Sequence, residues 1–377
     1  MTKTVVFVVN HLMGAGHLAR VLNLGRAFVT HDFDVHIVSG GFPVPQFDST
    51  GMTIHQLPPI KSDGADFSRL LTLDDTLVDE VYHVARMERT HQVLRHVSPD
   101  LLIVELFPFG RRNLRREYLQ LLKRLDDLRK RPKVVCSIRD ILSPPSKPSK
   151  VSFAEETLGR WFDLICVHSD PSAIPLETTW PVSDDIRPMI RYTGFVAPQL
   201  NKPKSSTGHD EILVSTGSGA FADSVFHTAL DVTKSDWGSK ENWRLLIGRA
   251  TEERLERFAA KKSNNVVVEA ARPDFRDLIQ NAKASISLCG YNSAMDILQS
   301  GVPAVIVPYD ERSETEQSIR ASALQQQPGI ETVAFGALRP ETLMRALRIA
   351  LAAPKRMPSE YRFDGAARMV EICTNLL

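Results

Sequence analysis

The sequence is short of the features that would fix its chemistry at a glance. Only 4 of its 377 residues are cysteine. Cys136, Cys166, Cys289 and Cys373 lie far apart, with no CxxC pair and no Cys/His ligand spacing, which argues against a zinc site. Reduced, mostly buried thiols in a cytoplasmic protein are the expectation. Charge of one sign is missing too: 46 Lys and Arg stand against 45 Asp and Glu, a net charge of +1. That balance gives no electrostatic case for nucleic-acid binding. No apolar run approaches the roughly 20 residues that a membrane span requires, and MTKTVVFVVN at the start is too short for a signal peptide. What is left is a soluble composition, 43% hydrophobic and 24% charged, with length enough for two domains.

The hydrophobic pattern starts twice. Thr4 to Val9 reads as a buried strand, Asn10 to His17 as a turn, and Leu18 to Thr30 as a helix with apolar residues at helical spacing. Val35 to Ser39 is the next strand, so the opening is β-turn-α-β, the start of a doubly wound sheet. A strand at Thr53 to Leu57, a polar loop at 61 to 75, a helix at Leu77 to His96 and a buried strand at Leu101 to Glu105 follow. Leu114 to Arg131 reads as one basic amphipathic helix. Lys133 to Ile138 is a strand, Ser143 to Lys150 a Pro/Ser/Lys loop, Leu158 to Phe162 helical, and Leu164 to Val167 a strand. Residues 198 to 209, rich in Pro, Lys and Ser, form the linker.

Beyond it the pattern restarts. Glu211 to Ser215 is a strand, followed by the glycine-rich turn Thr216 to Ala220. Ala284 to Leu288 is a buried strand, Cys289 to Ser293 a turn with helix-capping residues, and Ala294 to Gln299 a helix stopped by Gly301-Val302-Pro303. Ala304 to Val307 is a strand ended by Pro308, and an acidic loop runs to Glu316-Gln317. A helix opening from a glycine turn at a strand's C-terminal end suits an anion. Pro340 to Ala352 and the tail from Glu360 read as helices.

This second half resembles the donor-binding signature of GT-B glycosyltransferases. The matching residues are Gly290, Tyr291, Asn292, Ser293, Asp296, Gly301-Val302-Pro303, Pro308 and Glu316-Gln317. One departure is Leu288, where plant members carry His before the Cys-Gly. Most members also have Glu where Asp296 stands. The resemblance implies that Asp296 binds the ribose diol, since a carboxylate accepts two hydrogen bonds. It places Asn292 and Ser293 at the diphosphate, and Glu316 and Gln317 at the transferred sugar. The turn Gly217-Ser218-Gly219 resembles the family's pyrophosphate loop. Arg249 is a further donor-side candidate, and Phe275 opens the helix that lies next to the uracil site in relatives.

In the first half, Gly14-Ala15-Gly16-His17 opens a helix where glycines let a backbone approach a ligand. It resembles the acceptor-side loop of family-28 glycosyltransferases, which include the lipid II N-acetylglucosaminyltransferases. It also resembles a UDP-sugar hydrolase pattern, Gly-x-Gly-His-x-x-Arg, that Arg20 completes. A neutral imidazole can take a proton from a hydroxyl or from water, so His17 is the candidate general base. Glu105, at the end of a buried strand, is by resemblance to the His-acid dyad of the plant members the candidate that orients it, or else an N-cap or an ion-pair partner of Arg111 or Arg112. Arg139 and Asp140, ending another strand, are candidates for an acidic acceptor and a second base, or an internal pair. The basic helix reads as a solvated face, with contact to an anionic lipid surface as the alternative.

The expected fold is α/β of GT-B type, two facing Rossmann-like domains with an interdomain cleft. The expected boundaries are residues 1–197 for acceptor binding, 198–209 for the linker, 210–355 for donor binding, and 356–377 as a helix returning to the first domain. By resemblance the protein is a cytoplasmic glycosyltransferase that uses a UDP-linked sugar and inverts the anomeric centre. It is expected to need no cofactor and no metal, since no Asp-x-Asp motif lies where a cation would bridge the diphosphate. Its acceptor is not legible. Two alternatives stay open: a nucleotide-sugar hydrolase in which His17 activates water, and a non-catalytic nucleotide-sugar-binding protein. A UDP-N-acetylglucosamine 2-epimerase is a lesser one.

Overall fold

The computed structural model describes residues 2–12, 15–45, 47–63, 69–198, 200–216, 220–248, 250–309, 315–357 and 361–377. They divide into two units. The first comprises Met1–Pro171, Pro175–Ala197 and Asp364–Leu377; the second comprises Ser172–Ile174 and Pro198–Phe363.

The first unit is built on β1 (Thr4–Val9), β2 (Asp34–Ser39), β3 (Met52–Gln56), β6 (Leu101–Glu105), β7 (Lys133–Arg139), β8 (Leu164–His168) and β9 (Ile190–Tyr192). These pair in the order β3-β2-β1-β6-β7-β8-β9, all parallel. A short antiparallel pair, β4 (Lys61–Ser62) and β5 (Leu70–Leu71), stands apart from the sheet. The order reverses direction between β1 and β6, the place where such sheets bind ligands at the strands' C-terminal ends.

Side-chain alternation along a strand splits this sheet into two cores. Val5, Phe7 and Val9 of β1 join Leu101 and Ile103 of β6 on the face covered by α1 (Gly16–Val29) and α11 (Gly365–Thr374). Val6 and Val8 join Leu102 and Val104 on the opposite face, with α2 (Glu80–Val97), α3 (Arg115–Lys123) and α4 (Pro148–Trp161). Both faces are covered, which is why these strands are apolar at every position. The parity of β6 therefore sends Glu105 to the α1 face, together with Leu101 and Ile103.

The second unit repeats the plan with β10 (Glu211–Ser215), β11 (Asn242–Ile247), β12 (Val266–Ala270), β13 (Ala284–Ser287), β14 (Ala304–Ile306) and β15 (Ile330–Thr332). Its all-parallel order is β12-β11-β10-β13-β14-β15. Its helices are α5 (Ala220–Val232), α6 (Glu252–Ala259), α7 (Phe275–Asn281), α8 (Tyr291–Ser300), α9 (Glu316–Leu324) and α10 (Pro340–Ala352).

Several local expectations are corrected. The basic helix is shorter than its charge pattern: α3 stops at Lys123 and continues as a 3₁₀ turn over Arg124–Asp127. The 143–150 loop gives way to a helix from Pro148, because proline at a first helical position costs no hydrogen bond. The helix expected from Leu77 starts at Glu80, where Asp79 caps it by accepting from the Tyr82 amide at 2.8 Å. Part of the 61–75 segment is strand rather than loop, in β4 and β5. The edge strand β15, only three residues long, is not evident in the sequence pattern.

The last helix joins the first unit through a close approach at its first residue. The Gly365 amide donates to the Phe195 carbonyl at 3.1 Å. A Cβ placed on Gly365 would lie 2.4 Å from the Gly194 carbonyl oxygen and 2.8 Å from that of Phe195. Backbone cannot yield there as a side-chain tip would. Gly365→Ala should therefore cost roughly 1–3 kcal/mol, read by urea unfolding of the first unit; an unchanged midpoint would contradict this packing.

Candidate active site

In the first unit the site grows from the C-terminal ends of β1 and β6. The turn after β1 leads into α1, whose first residues are Gly16 and His17. His17 and Arg20 are three apart, so they share one face of the first turn. That face meets Glu105, which the parity of β6 presents to it. His17 Nδ1 lies 2.7 Å from Glu105 Oε1, and Arg20 Nη2 donates to the same oxygen. Glu105 is 1% exposed and the His17 side chain 19%. An added Cβ on Gly16 would meet nothing within 4 Å, so packing does not require glycine there.

The electrostatics follow from burial. Burial holds the His17 imidazole below its ordinary 6.5, opposed by Glu105 and assisted by Arg111 and Arg20. His17 is therefore neutral at pH 7. With Nδ1–H donated to Glu105, Nε2 is left as the basic nitrogen. Burial pushes the Glu105 carboxyl up, but His17, Arg20 and Arg111 together outweigh it and hold the group well below the carboxylate range. His11 is held down at about 4 by burial, then by Arg111 and His17. His168 is held at about 3, chiefly by burial, between Ser137 Oγ at 2.8 Å and Thr193 Oγ1 at 2.9 Å. These three histidines are lowered on folding. The unfolded chain thus takes up their protons first, and stability falls as pH drops below about 6.5.

In the second unit the signature residues gather on α8 and around it. Gly290 is the N-cap of α8, and a Cβ there would also meet nothing within 4 Å. Asn292 is exposed at the helix's first turn, beside the partly buried Ser293. Asp296 is 7% exposed and pairs with Arg276 of α7, Nη2 to Oδ1 at 2.8 Å. Burial raises the Asp296 carboxyl, and Arg276 opposes that rise. Gln317 turns its Oε1 to two backbone amides, Cys289 at 3.1 Å and Tyr309 at 3.2 Å. It so ties together the loops that leave β13 and β14. Arg320, fully buried, donates to the Cys289 carbonyl and to Glu316 Oε1, both at 2.8 Å.

Residues 212–367 match the glycosyltransferase family 28 C-terminal domain. The second unit is thus family-28-like. A UDP-N-acetylglucosamine–N-acetylmuramyl-(pentapeptide) pyrophosphoryl-undecaprenol N-acetylglucosamine transferase from Brucella anthropi is 29% identical over 191 residues, 49% of this chain and 49% of that protein. The chain thus aligns with only about half the length of this relative. Among solved structures, MurG of Acinetobacter baumannii superposes with a TM-score of 0.67 at 14% identity, covering 99% of this chain and all of that one. The calicheamicin glycosyltransferase CalG4 gives 0.64 at 16% identity, covering 100% of this chain and 99% of that one. These likenesses establish a GT-B fold.

On this family-28-like frame the structure brings His17 and Glu105 into contact, with Gly16 at the helix start. Arg139 ends β7, the strand that pairs with β6, and Asp140 follows it, yet His17 takes its carboxylate from Glu105. Arg139 Nε donates to the Ile141 carbonyl at 3.2 Å, and Asp140 is fully buried. Phe275 is the first residue of α7 and is partly buried. Gly14, Gly217, Ser218, Gly219 and Arg249 lie outside the described residues. Sequence reasoning missed Arg276 and Arg320 as partners of the signature carboxylates. A basic residue three or four positions from a signature carboxylate, as in Glu316 and Arg320, is the one signal that was present.

The His17–Glu105 contact makes a direct prediction. Glu105 raises the His17 value, so Glu105→Gln should lower it further, read by NMR titration of the imidazole. An unchanged or higher value would contradict the contact.

Proposed function

We propose that the protein is a glycosyltransferase that moves a sugar from a nucleotide-diphosphate sugar, UDP-linked, to an acceptor hydroxyl with inversion. The observation that carries this reading is the buried His17–Glu105 pair, with Nδ1 to Oε1 at 2.7 Å. The family 28 match of the second unit and the transferase named for the Brucella relative support it. A solved structural neighbour, VinC, was crystallised with a deoxythymidine diphosphate; its TM-score is 0.57, at 16% identity, covering 100% of this chain and 96% of that one.

In this reading the first unit supplies the base. His17 Nε2 accepts the acceptor's hydroxyl proton while the oxygen bonds to the anomeric carbon. The bond from that carbon to the diphosphate oxygen breaks, and the nucleoside diphosphate leaves with the electron pair. Glu105 fixes the tautomer and stabilises the imidazolium that forms. Asp296 accepts hydrogen bonds from the ribose diol, and its pairing with Arg276 keeps the buried carboxylate aimed. Asn292 and Ser293, on the first turn of α8, meet the diphosphate charge where the helix N-terminus favours it. Gln317 and Glu316 act first by holding the 289–293 turn, through the contacts described above.

The test is release of UDP from UDP-sugars, followed with and without hydroxyl acceptors. His17→Ala should lower acceptor-dependent turnover by roughly 10²–10⁴-fold, and Glu105→Gln should lower it as well. Both should leave UDP affinity within about a factor of 2, because each acts in the transfer step rather than in donor binding. Rapid UDP release that no acceptor accelerates would replace the transferase with the hydrolase.

A further inference from the structure

Residues 198–209 have the composition of a linker, and a Pro/Lys/Ser segment without apolar periodicity has little with which to pack. The structure holds it by another means. The boundary between the units falls after Ala197, and from Pro198 onward the backbone is fastened to side chains of α7 and α8. Arg276 Nη1 donates to the Pro198 carbonyl at 2.8 Å, and the Leu200 amide donates to Gln299 Oε1 at 3.2 Å. The Lys204 amide donates to Asp277 Oδ2 at 3.0 Å. Asn281 Nδ2 donates to the Ser205 and Thr207 carbonyls at 2.8 and 2.9 Å.

Arg276 also meets a signature carboxylate. Its Nη2 donates to Asp296 Oδ1 at 2.8 Å. A guanidinium is planar and rigid, so one group fixes the Pro198 carbonyl and the Asp296 carboxylate relative to each other. Gln299, three residues after Asp296 on α8, contacts the same Pro198 carbonyl at 3.3 Å. Positions three apart share a helix face, so α8 grips this strap one turn from the carboxylate. Asp296 Oδ2 takes no hydrogen bond from the described residues and is left for a ligand.

Asp296 is buried, whereas the Arg276 side chain is 31% exposed. Burial raises the Asp296 carboxyl, and the Arg276 charge and hydrogen bond oppose the rise. The other charged groups around α8 are turned elsewhere. Arg356 donates to the Ile297 and Val302 carbonyls at the helix's far end, Arg320 of α9 to the Cys289 carbonyl and Glu316, and Asp277 holds Lys204. Without Arg276 the Asp296 carboxyl rises further and takes up its proton at a higher pH. A protonated carboxyl has less acceptor capacity for a diol.

We propose that Arg276 is a positioning residue that ties nucleotide binding at Asp296 to the strap beginning at Pro198, so that a seated nucleoside diphosphate tightens that strap. This rests on the reading of Asp296 as the ribose carboxylate and gives its partner a second task. A diol bonded to Oδ2 pins the carboxylate that Arg276 holds by Oδ1. The guanidinium, now partly in solvent, then loses freedom, and its bond to Pro198 is held with it. Linkage makes the coupling reciprocal: a loosened strap weakens nucleotide binding by the same factor.

The experiment is amide hydrogen exchange of the full chain with and without UDP, with UDP affinity measured by calorimetry across pH. In the wild type, UDP should slow exchange at the Leu200 and Lys204 amides. Arg276→Gln should abolish that slowing and weaken UDP binding by roughly fivefold or more. As pH is lowered, the variant should lose affinity at a higher pH than the wild type does, because burial then raises Asp296 unopposed. Arg276→Lys, which keeps the charge and loses the planar fork, should keep the wild-type pH profile and lose the slowing. A merely structural role would not separate the two readouts. If UDP binds the wild type and leaves both amides unchanged, or if Arg276→Gln retains the slowing or the wild-type pH profile, the proposal is overturned and the Asp296 reading stands. If the wild type binds no UDP, that reading falls and takes the proposal with it. If Arg276→Gln does not fold, the Lys variant carries the comparison.

Discussion

A buried carboxylate with its charge kept is the constraint around which the first unit is arranged. Glu105 is almost wholly out of water, where an unpaired carboxylate would protonate or destabilise the fold. It stays ionised because Arg20 and His17 meet the same oxygen from one helical turn. That meeting needs three things at once. The chain must turn directly from β1 into α1, the β1–β6 pairing must be parallel, and β6 must have the parity that sends Glu105 to the α1 face. Shift β6 by one residue and the carboxylate would enter the apolar core with Leu102 and Val104.

The second unit uses the same economy of buried charge for a different end. Asp296 is held by Arg276, which also donates to the Pro198 carbonyl at 2.8 Å. Gln299, one turn further along α8, contacts that same carbonyl at 3.3 Å and accepts from the Leu200 amide at 3.2 Å. The start of the linker and the proposed ribose carboxylate are therefore joined through one arginine. Gln317 and Arg320 do comparable work on the turn before α8, where both bond to backbone groups of Cys289.

Much of this was legible in the sequence because the deciding features are local. A strand that ends in a carboxylate, a Gly-x-Gly-His at a helix start and an i, i+3 Arg are visible in one chain. Glu105 and His17 could be paired because each ends or begins an element at a sheet's ligand-binding edge and because the resemblance to plant members implies a His-acid dyad. What could not be read depends on tertiary geometry. Arg276 finds Asp296 across 20 positions of sequence, and Gln317 reaches amides on two different loops. The length of α3 was overread because a basic run gives no stop signal, whereas the chain ends the helix after Lys123 and packs Leu125 into the core.

The central claim is that α8 presents a carboxylate to a ribose diol and so selects a nucleoside diphosphate. The most direct measurement is calorimetric titration of UDP and 2′-deoxy-UDP into the wild type and Asp296→Ala. A lost hydrogen bond to a charged group is worth about 1.5–3 kcal/mol, so the wild type should prefer UDP by roughly tenfold or more. The preference should vanish in the variant. No binding of either nucleotide, or the same preference with and without Asp296, would contradict the account.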